Sequence, residues 1–275
     1  MSIRLGQKNE RAAAQMVANC FALLTGMALI IMTVSYLFKD QLLVFFGAGP
    51  AIFPYANQYM SWYLTGTAFA LLSAGMNQFI ICQGFATVGM KSVVLGAVSN
   101  IILDPIFIFV FHMGVRGAAL ATILSQFLSA AWIIAFLTGK KTILRLRPSA
   151  MKLEGARILR IVGLGMSGFT MSITNSSVQI MYNVMLQKFG GDLYVGIMTV
   201  INSVREVISM PVNGLTNSAQ PVMGFNYGAG EYRRVKKAIV FMSVVSVAYT
   251  TFMWSLVHGF PEFFIRIFNH EGDLV

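Results

Sequence analysis

"GAALATILSQFLSAAWIIAFLTG", residues 117–139, carries no charged side chain, with Arg116 just before it and Lys140 just after. An α-helix needs about 20 residues, at about 1.5 Å each, to cross the hydrocarbon core of a bilayer. Residues 12–38, 161–187 and 238–261 are uncharged over comparable lengths. None of these runs alternates apolar and polar residues in short segments, as the strands of a membrane barrel do. The chain therefore reads as an all-α integral membrane protein. Its composition agrees: 11% of residues are charged and 56% hydrophobic, whereas soluble domains carry about 25% charged residues.

The net charge of +10 is too unevenly placed to suggest a nucleic-acid surface. Lys140, Lys141, Arg145, Arg147, Lys152, Arg157 and Arg160 crowd one connection, and Arg233, Arg234, Lys236 and Lys237 another. Such clusters mark cytoplasmic flanks of membrane spans. Cys20 and Cys82 lie in apolar runs without metal-ligand spacing, and the three histidines are scattered. No phosphate-binding GxxxxGK[ST] stretch is present, which argues against an ATP-driven pump. The opening "MSIRLGQKNER" is polar and leads into a full-length span, unlike a secretory signal.

Seven transmembrane helices are expected, over about 13–38, 55–81, 91–111, 116–138, 157–185, 193–223 and 236–260. A cytoplasmic N-terminus puts fifteen of the twenty basic residues inside, four outside and Arg205 within a helix. The basic connection 139–156 divides the chain into residues 1–138, with four helices, and 157–275, with three. Part of "PSAMKLEGARILRI" (148–161) reads as an interfacial helix. A weak internal repeat with an offset of 222 pairs Gly6 with Gly228, Arg11 with Arg233 and Phe38 with Phe260. Both copies would have the same orientation, implying parallel repeats. Two helices precede the second copy, so two are expected ahead of Met1 and three beyond Val275 in a longer chain.

Ionisable residues inside membrane helices are functional candidates because burying them is costly. Asp104 sits in "NIILDPIF", thirteen residues past Lys91, about 20 Å along a helix. Pro105 is expected to kink or open that helix. A carboxylate beside freed carbonyls makes a candidate proton or cation site, the alternative being an Asp that caps a broken helix. Glu206, with Asn202 and Ser203 one turn earlier, is a second coupling candidate. Its neighbour Arg205 points about 100° away from it and reads as a structural charge. Asn175, Gln179, Asn183, Asn202 and Met198 are candidates for a polar, adaptable substrate cavity, the alternative being helix-to-helix hydrogen bonding.

"NIILDPIFIFVFHMGVRGAALATILSQ" (100–126) and "GGDLYVGIMTVINSVREVISMPVNGLTNSAQPVMGFNYGAG" (190–230) together resemble the multidrug and toxic compound extrusion (MATE) family, in particular its bacterial multidrug-efflux branch. The LDP, GxxGAAxAT and QPxxxxNYGAG segments carry the resemblance. It implies a monomeric antiporter in the bacterial inner (plasma) membrane, with twelve helices in two six-helix lobes. Such a protein exports amphipathic, mostly cationic drugs in exchange for H⁺ or Na⁺, without a further cofactor or metal. The seven helices then resemble the family's third to ninth, and 139–156 its inter-lobe loop. The coupling acid often found on the family's first helix falls outside this chain, and Ile81 stands where relatives commonly carry arginine. Two alternatives are a lipid-linked oligosaccharide flippase of related fold, which would call for several deep cations, and a truncated, non-transporting product.

Overall fold

The computed structural model describes residues 1–46, 49–50, 52–146 and 154–260. The described residues are helical and fall into two compact units, divided between Ile158 and Leu159.

In the first unit a short helix α1 (Ser2–Gly6) leads into α2 (Glu10–Leu37). Asn9 caps α2, its side-chain oxygen accepting from the Ala12 N–H at 3.0 Å, and Glu10 places an acid in the first turn. After the short α3 (Lys39–Phe45), α4 (Phe53–Tyr63) starts with a proline in its first turn, where no donor is lost. A 3₁₀ turn over Leu64–Gly66 joins α4 to α5 (Thr67–Cys82), giving one span. α6 (Ala86–Pro105) and α7 (Val115–Thr138) complete the unit.

α5 packs against α2, α6 and α7, and α7 also packs against α4 and α6. The core joins Ala13 and Val17 of α2, Leu72, Met76 and Ile80 of α5, and Ala130, Ile133 and Leu137 of α7. Small residues let these helices approach closely, which matters where dispersion rather than water drives association. Gly96 of α6 shows the requirement: a Cβ there would collide with the Ser129 hydroxyl of α7.

The second unit contains α8 (Gly155–Gly228, entered in the first unit) and α9 (Tyr232–Gly259). α8 leaves helical geometry at Gly191, with φ 64° and ψ −160°, a conformation that glycine tolerates. The expected helices at 157–185 and 193–223 are therefore the two sides of this interruption, without a longer loop between them. The interfacial helix expected in 148–161 lies partly outside the described residues, and from Gly155 onward the chain is already α8. The residues after Phe260 lie outside them too.

The count of seven spans requires correction. Five described helices are long and apolar enough to cross a membrane: Glu10–Leu37, Phe53–Cys82, Ala86–Val110, Val115–Thr138 and Tyr232–Gly259. α8 is helical as expected but is not among them. Asn175, Ser176, Ser177, Gln179 and Asn183 on one side of Gly191, and Asn202, Ser203, Arg205 and Glu206 on the other, dilute its apolar character. An uncharged run is not by itself an apolar one.

The repeat is sharper in the backbone than in the side chains. α2 and α9 each have 28 residues, and both their ends correspond at the offset of 222. The turns before them correspond as well. Asn9 N–H donates to Arg4 O and Lys8 N–H to Leu5 O, while Glu231 N–H donates to Asn226 O and Gly230 N–H to Tyr227 O. Both are Schellman closures. The left-handed residue is Lys8 (φ 57°) in one copy and Gly230 (φ 79°) in the other.

Candidate functional site

α6 remains helical through Pro105, where the sequence suggested a break. Proline removes a backbone donor, and the chain widens into a π-helical turn over Ile106–Val110, closed by Phe111 N–H to Ile106 O at 2.9 Å. Wide turns of this kind often occur at functional sites. Left-handed geometry at His112 and Gly114 then redirects the chain into α7. Asp104 lies immediately before Pro105, and its Oδ1 is buried with no hydrogen-bond partner. α6 runs on through Asp104 to Pro105.

One turn before Asp104, Asn100 carries a buried Nδ2 without a partner, and Gln126 of α7 likewise has a buried, unpartnered Oε1. Both line an open cavity of about 230 Å³ with Ser73, Thr122, Ser125 and Ser129. A second cavity of about 190 Å³ shares Ser73 and Ser129 and extends to Asn77, Ser92 and Ile133. The linings contain amides and hydroxyls but no charged side chain, and Asp104 is not part of either lining. The hydroxyls are already engaged. Thr122 and Ser125 donate to carbonyls one turn back at 2.9 and 2.7 Å, and Ser129 donates to Ser92 O at 2.6 Å. Ser92 donates to Gly89 O at 2.7 Å, with Asn77 Oδ1 a second acceptor at 3.2 Å. The amides therefore supply the free donor capacity, while the hydroxyl oxygens can still accept.

This set is only partly visible in the sequence. The amides stand out as polar groups in apolar runs. The hydroxyls do not, although Ser92, Gly96 and Asn100 recur every four residues and Thr122, Ser125, Gln126 and Ser129 share a face. Only the meeting of α5, α6 and α7 shows what these faces enclose.

The second group of candidates lies on α8. Gln179 Nε2 donates to Asn183 Oδ1 at 3.5 Å, which brings two of the proposed cavity amides together. Asn175 is exposed one turn earlier, and Met198 is half-buried. Asn202 has a buried Oδ1 with no partner. Arg205 and Glu206 are both exposed. Neither takes part in the ion pairs found among the described residues, Glu154–Arg157 and Glu231–Arg234. No cluster of three or more His, Cys, Asp or Glu side chains suited to a metal ion occurs among the described residues.

The architecture is that of a multi-pass helical membrane protein with polar and ionisable groups set inside its helices. The MatE family model matches residues 1–106 and 167–275, and the chain belongs to the MATE family of transporters, not to an enzyme family. It is similar to the multidrug export protein MepA of Staphylococcus aureus strain MSSA476, with 25% identity over 262 residues covering 93% of this chain and 56% of that one. MepA of Staphylococcus haemolyticus strain JCSC1435 is 26% identical over 243 residues, covering 86% and 53%. The chain thus spans little more than half the length of these relatives. Its fold matches a crystal structure of MATE in the bent conformation, with TM-score 0.92 and 22% identity over 99% of this chain and 61% of that one. It also matches the outward-facing conformation of a multidrug resistance MATE family transporter of the MOP superfamily, with TM-score 0.91, 22% identity and coverage of 99% and 62%.

Proposed function

We propose that this chain forms part of a secondary antiporter of twelve helices in two lobes, which exports amphipathic, mostly cationic drugs in exchange for H⁺ or Na⁺. Residues 1–138 belong to its N-terminal lobe, 139–156 to a cytoplasmic inter-lobe loop and 157–275 to its C-terminal lobe, with Met1 on the cytoplasmic side of the bacterial inner membrane. Asp104 and Glu206 are the cation-coupling residues, and Arg205 is a structural charge. Gln179, Asn183, Asn202, Asn175 and Met198 line the path of the drug. The family match supports the transport class, and the export named for the MepA relatives supports the substrate class.

The observation that carries the coupling role is the buried, unpartnered Oδ1 of Asp104. A bare carboxylate oxygen inside a membrane helix is costly, and taking up a proton or a monovalent cation relieves that cost. Release of the ion restores it. Antiport needs such a two-state group, because the ion must favour one conformation over the other.

Two substitutions in the full-length transporter, reconstituted in vesicles with an imposed ion gradient, test this reading. Glu206→Gln abolishes gradient-driven drug efflux while the protein still inserts. Asp104→Asn slows turnover more than it weakens drug binding. Efflux at the parental rate with unchanged ion dependence in either variant removes that residue from the coupling role.

A further inference from the structure

α7 ends at Thr138, and the following chain does not leave the first unit. The last turn of a helix exposes carbonyls without intrahelical donors. Here the returning segment supplies donors: Gly139 N–H to Phe136 O at 3.1 Å, Leu146 N–H to Leu137 O at 2.9 Å, and Arg145 Nε to Thr138 O at 2.7 Å. Leu144 and Leu146 enter the core, at 2% and 6% exposure. Gln83, buried at the α5–α6 turn, holds this arm. Its Oε1 accepts from Thr142 Oγ1 and from Leu144 N–H, both at 2.8 Å, while its Nε2 donates to Phe79 O at 3.1 Å.

The arm beyond residues 147–153 is held as well, by α2. Glu154 N–H donates to Asn19 Oδ1 at 3.3 Å, and Arg157 Nη2 donates to Gln15 Oε1 at 3.0 Å. Arg157 also pairs with Glu154 at 3.0 Å. The boundary between the compact units falls just past Arg157, between Ile158 and Leu159. The next turns of α8 contain Gly163, Gly165 and Gly168, and a Cβ at any of them would meet nothing within 4 Å. Packing within this chain therefore does not account for these glycines, and each weakens a helix relative to alanine.

We infer that Gln83, with Gln15 and Asn19, is a clasp that fixes residues 142–146 and 154–157 to the N-terminal unit, so that movement between the units bends α8 at 163–168. The position of the hinge rests on the two-lobe antiporter proposed above, whereas the clasp does not.

Hydrogen–deuterium exchange of the full-length protein in lipid tests the clasp without any transport assay. The amides of Leu144, Leu146 and Glu154 exchange slowly. Gln83→Leu, which removes both acceptor contacts, speeds exchange at Leu144 by about tenfold, the effect of losing one or two ordinary hydrogen bonds. Gln83→Glu keeps an acceptor for both bonds and loses only the donation to Phe79 O, so it retains more protection at Leu144 than Gln83→Leu. Thr142→Val removes one contact without touching the α5–α6 turn, and serves if Gln83→Leu does not fold. Fast exchange at these amides in the unaltered protein overturns the clasp, as does protection at Leu144 that neither Gln83→Leu nor Thr142→Val changes.

The hinge is tested by replacing Gly163, Gly165 and Gly168 together with alanine, whose added Cβ atoms meet nothing within 4 Å in this chain. Drug export then slows severalfold with the clasp amides still protected, and export at the parental rate overturns the hinge. If the unaltered protein exports no drug, the antiporter reading fails and the hinge with it, while the exchange result for the clasp stands.

Discussion

α2 and α9 have the same length and the same kind of entry turn, but they differ in burial. α2 buries Ala13, Val17, Ala18, Asn19 and Ala28, whereas α9 buries none of its residues, and its Phe241, Val244 and Val247 are each more than 60% exposed. The difference comes from partners and not from helix propensity. α2 packs along α5, whose Gly75 admits the Leu24 side chain so closely that an added Cβ would approach it to 2.5 Å. Helix boundaries are set by caps and turns within a few residues; both copies carry the turn, and α2 adds a side-chain cap from Asn9 that α9 lacks. Burial is set by helices distant in the sequence.

The largest test of this contrast is a pair of truncations in the 275-residue chain. Met76 is fully buried in α5, so Met76→Ala removes packed atoms and leaves a cavity, at a cost of about 2–5 kcal/mol. Phe241→Ala in α9 changes stability by no more than about 0.5 kcal/mol, as substitutions outside a core do. Thermal unfolding in detergent reads both. Equal losses would break the comparison, because they would mean that protein covers the α9 face.

A middle-sized effect is expected where helices meet most closely. Gly96→Ala places a methyl group against the Ser129 hydroxyl, which also donates to Ser92 O. Overpacking of this kind costs about 1–3 kcal/mol. Gly214→Ala in α8 meets nothing within 4 Å and gains up to about 1 kcal/mol from helix propensity. Opposite shifts in unfolding temperature sharpen the comparison, and shifts of the same sign would contradict it.

The same contrast explains what was legible in the sequence. The helix expected at 116–138 runs over Val115–Thr138, because its signals are local: an uncharged apolar run, Gly114 before it and Lys140 after it. Asp104 was recognisable as an acid in an apolar run, but its unpartnered oxygen was not, since that depends on what packs around it. The hydroxyl faces of α6 and α7 do not reveal a cavity in the sequence, because it exists only where α5 meets them. α8 misled for a different reason. "LQKFGGD" (186–192) looks like a loop, yet only Gly191 leaves helical geometry, and the amides that identify α8 as a candidate drug path also make it less apolar than a typical span.

The smallest expected effect comes from the one position at which the repeated turns differ in the left-handed residue itself. Both use the same two hydrogen bonds, Asn9 to Arg4 with Lys8 to Leu5, and Glu231 to Asn226 with Gly230 to Tyr227. A residue with a Cβ is strained by about 1 kcal/mol in left-handed geometry, whereas glycine is not. Glycine also loses more freedom on folding, which offsets part of that gain. Lys8→Gly therefore stabilises the first unit by a few tenths of a kcal/mol up to about 1 kcal/mol. Gly230→Ala destabilises the α8–α9 turn by a similar amount, with no steric contribution, since nothing lies within 4 Å of the added methyl. Exchange at the amides of Asn9 and Glu231 reads each turn separately, slowing in Lys8→Gly and quickening in Gly230→Ala. If both respond as expected, the two turns are energetically equivalent, and the difference in burial between α2 and α9 begins only beyond their caps. If Gly230→Ala leaves Glu231 unchanged, the second turn is held by something other than its own hydrogen bonds, and the equivalence ends at its geometry.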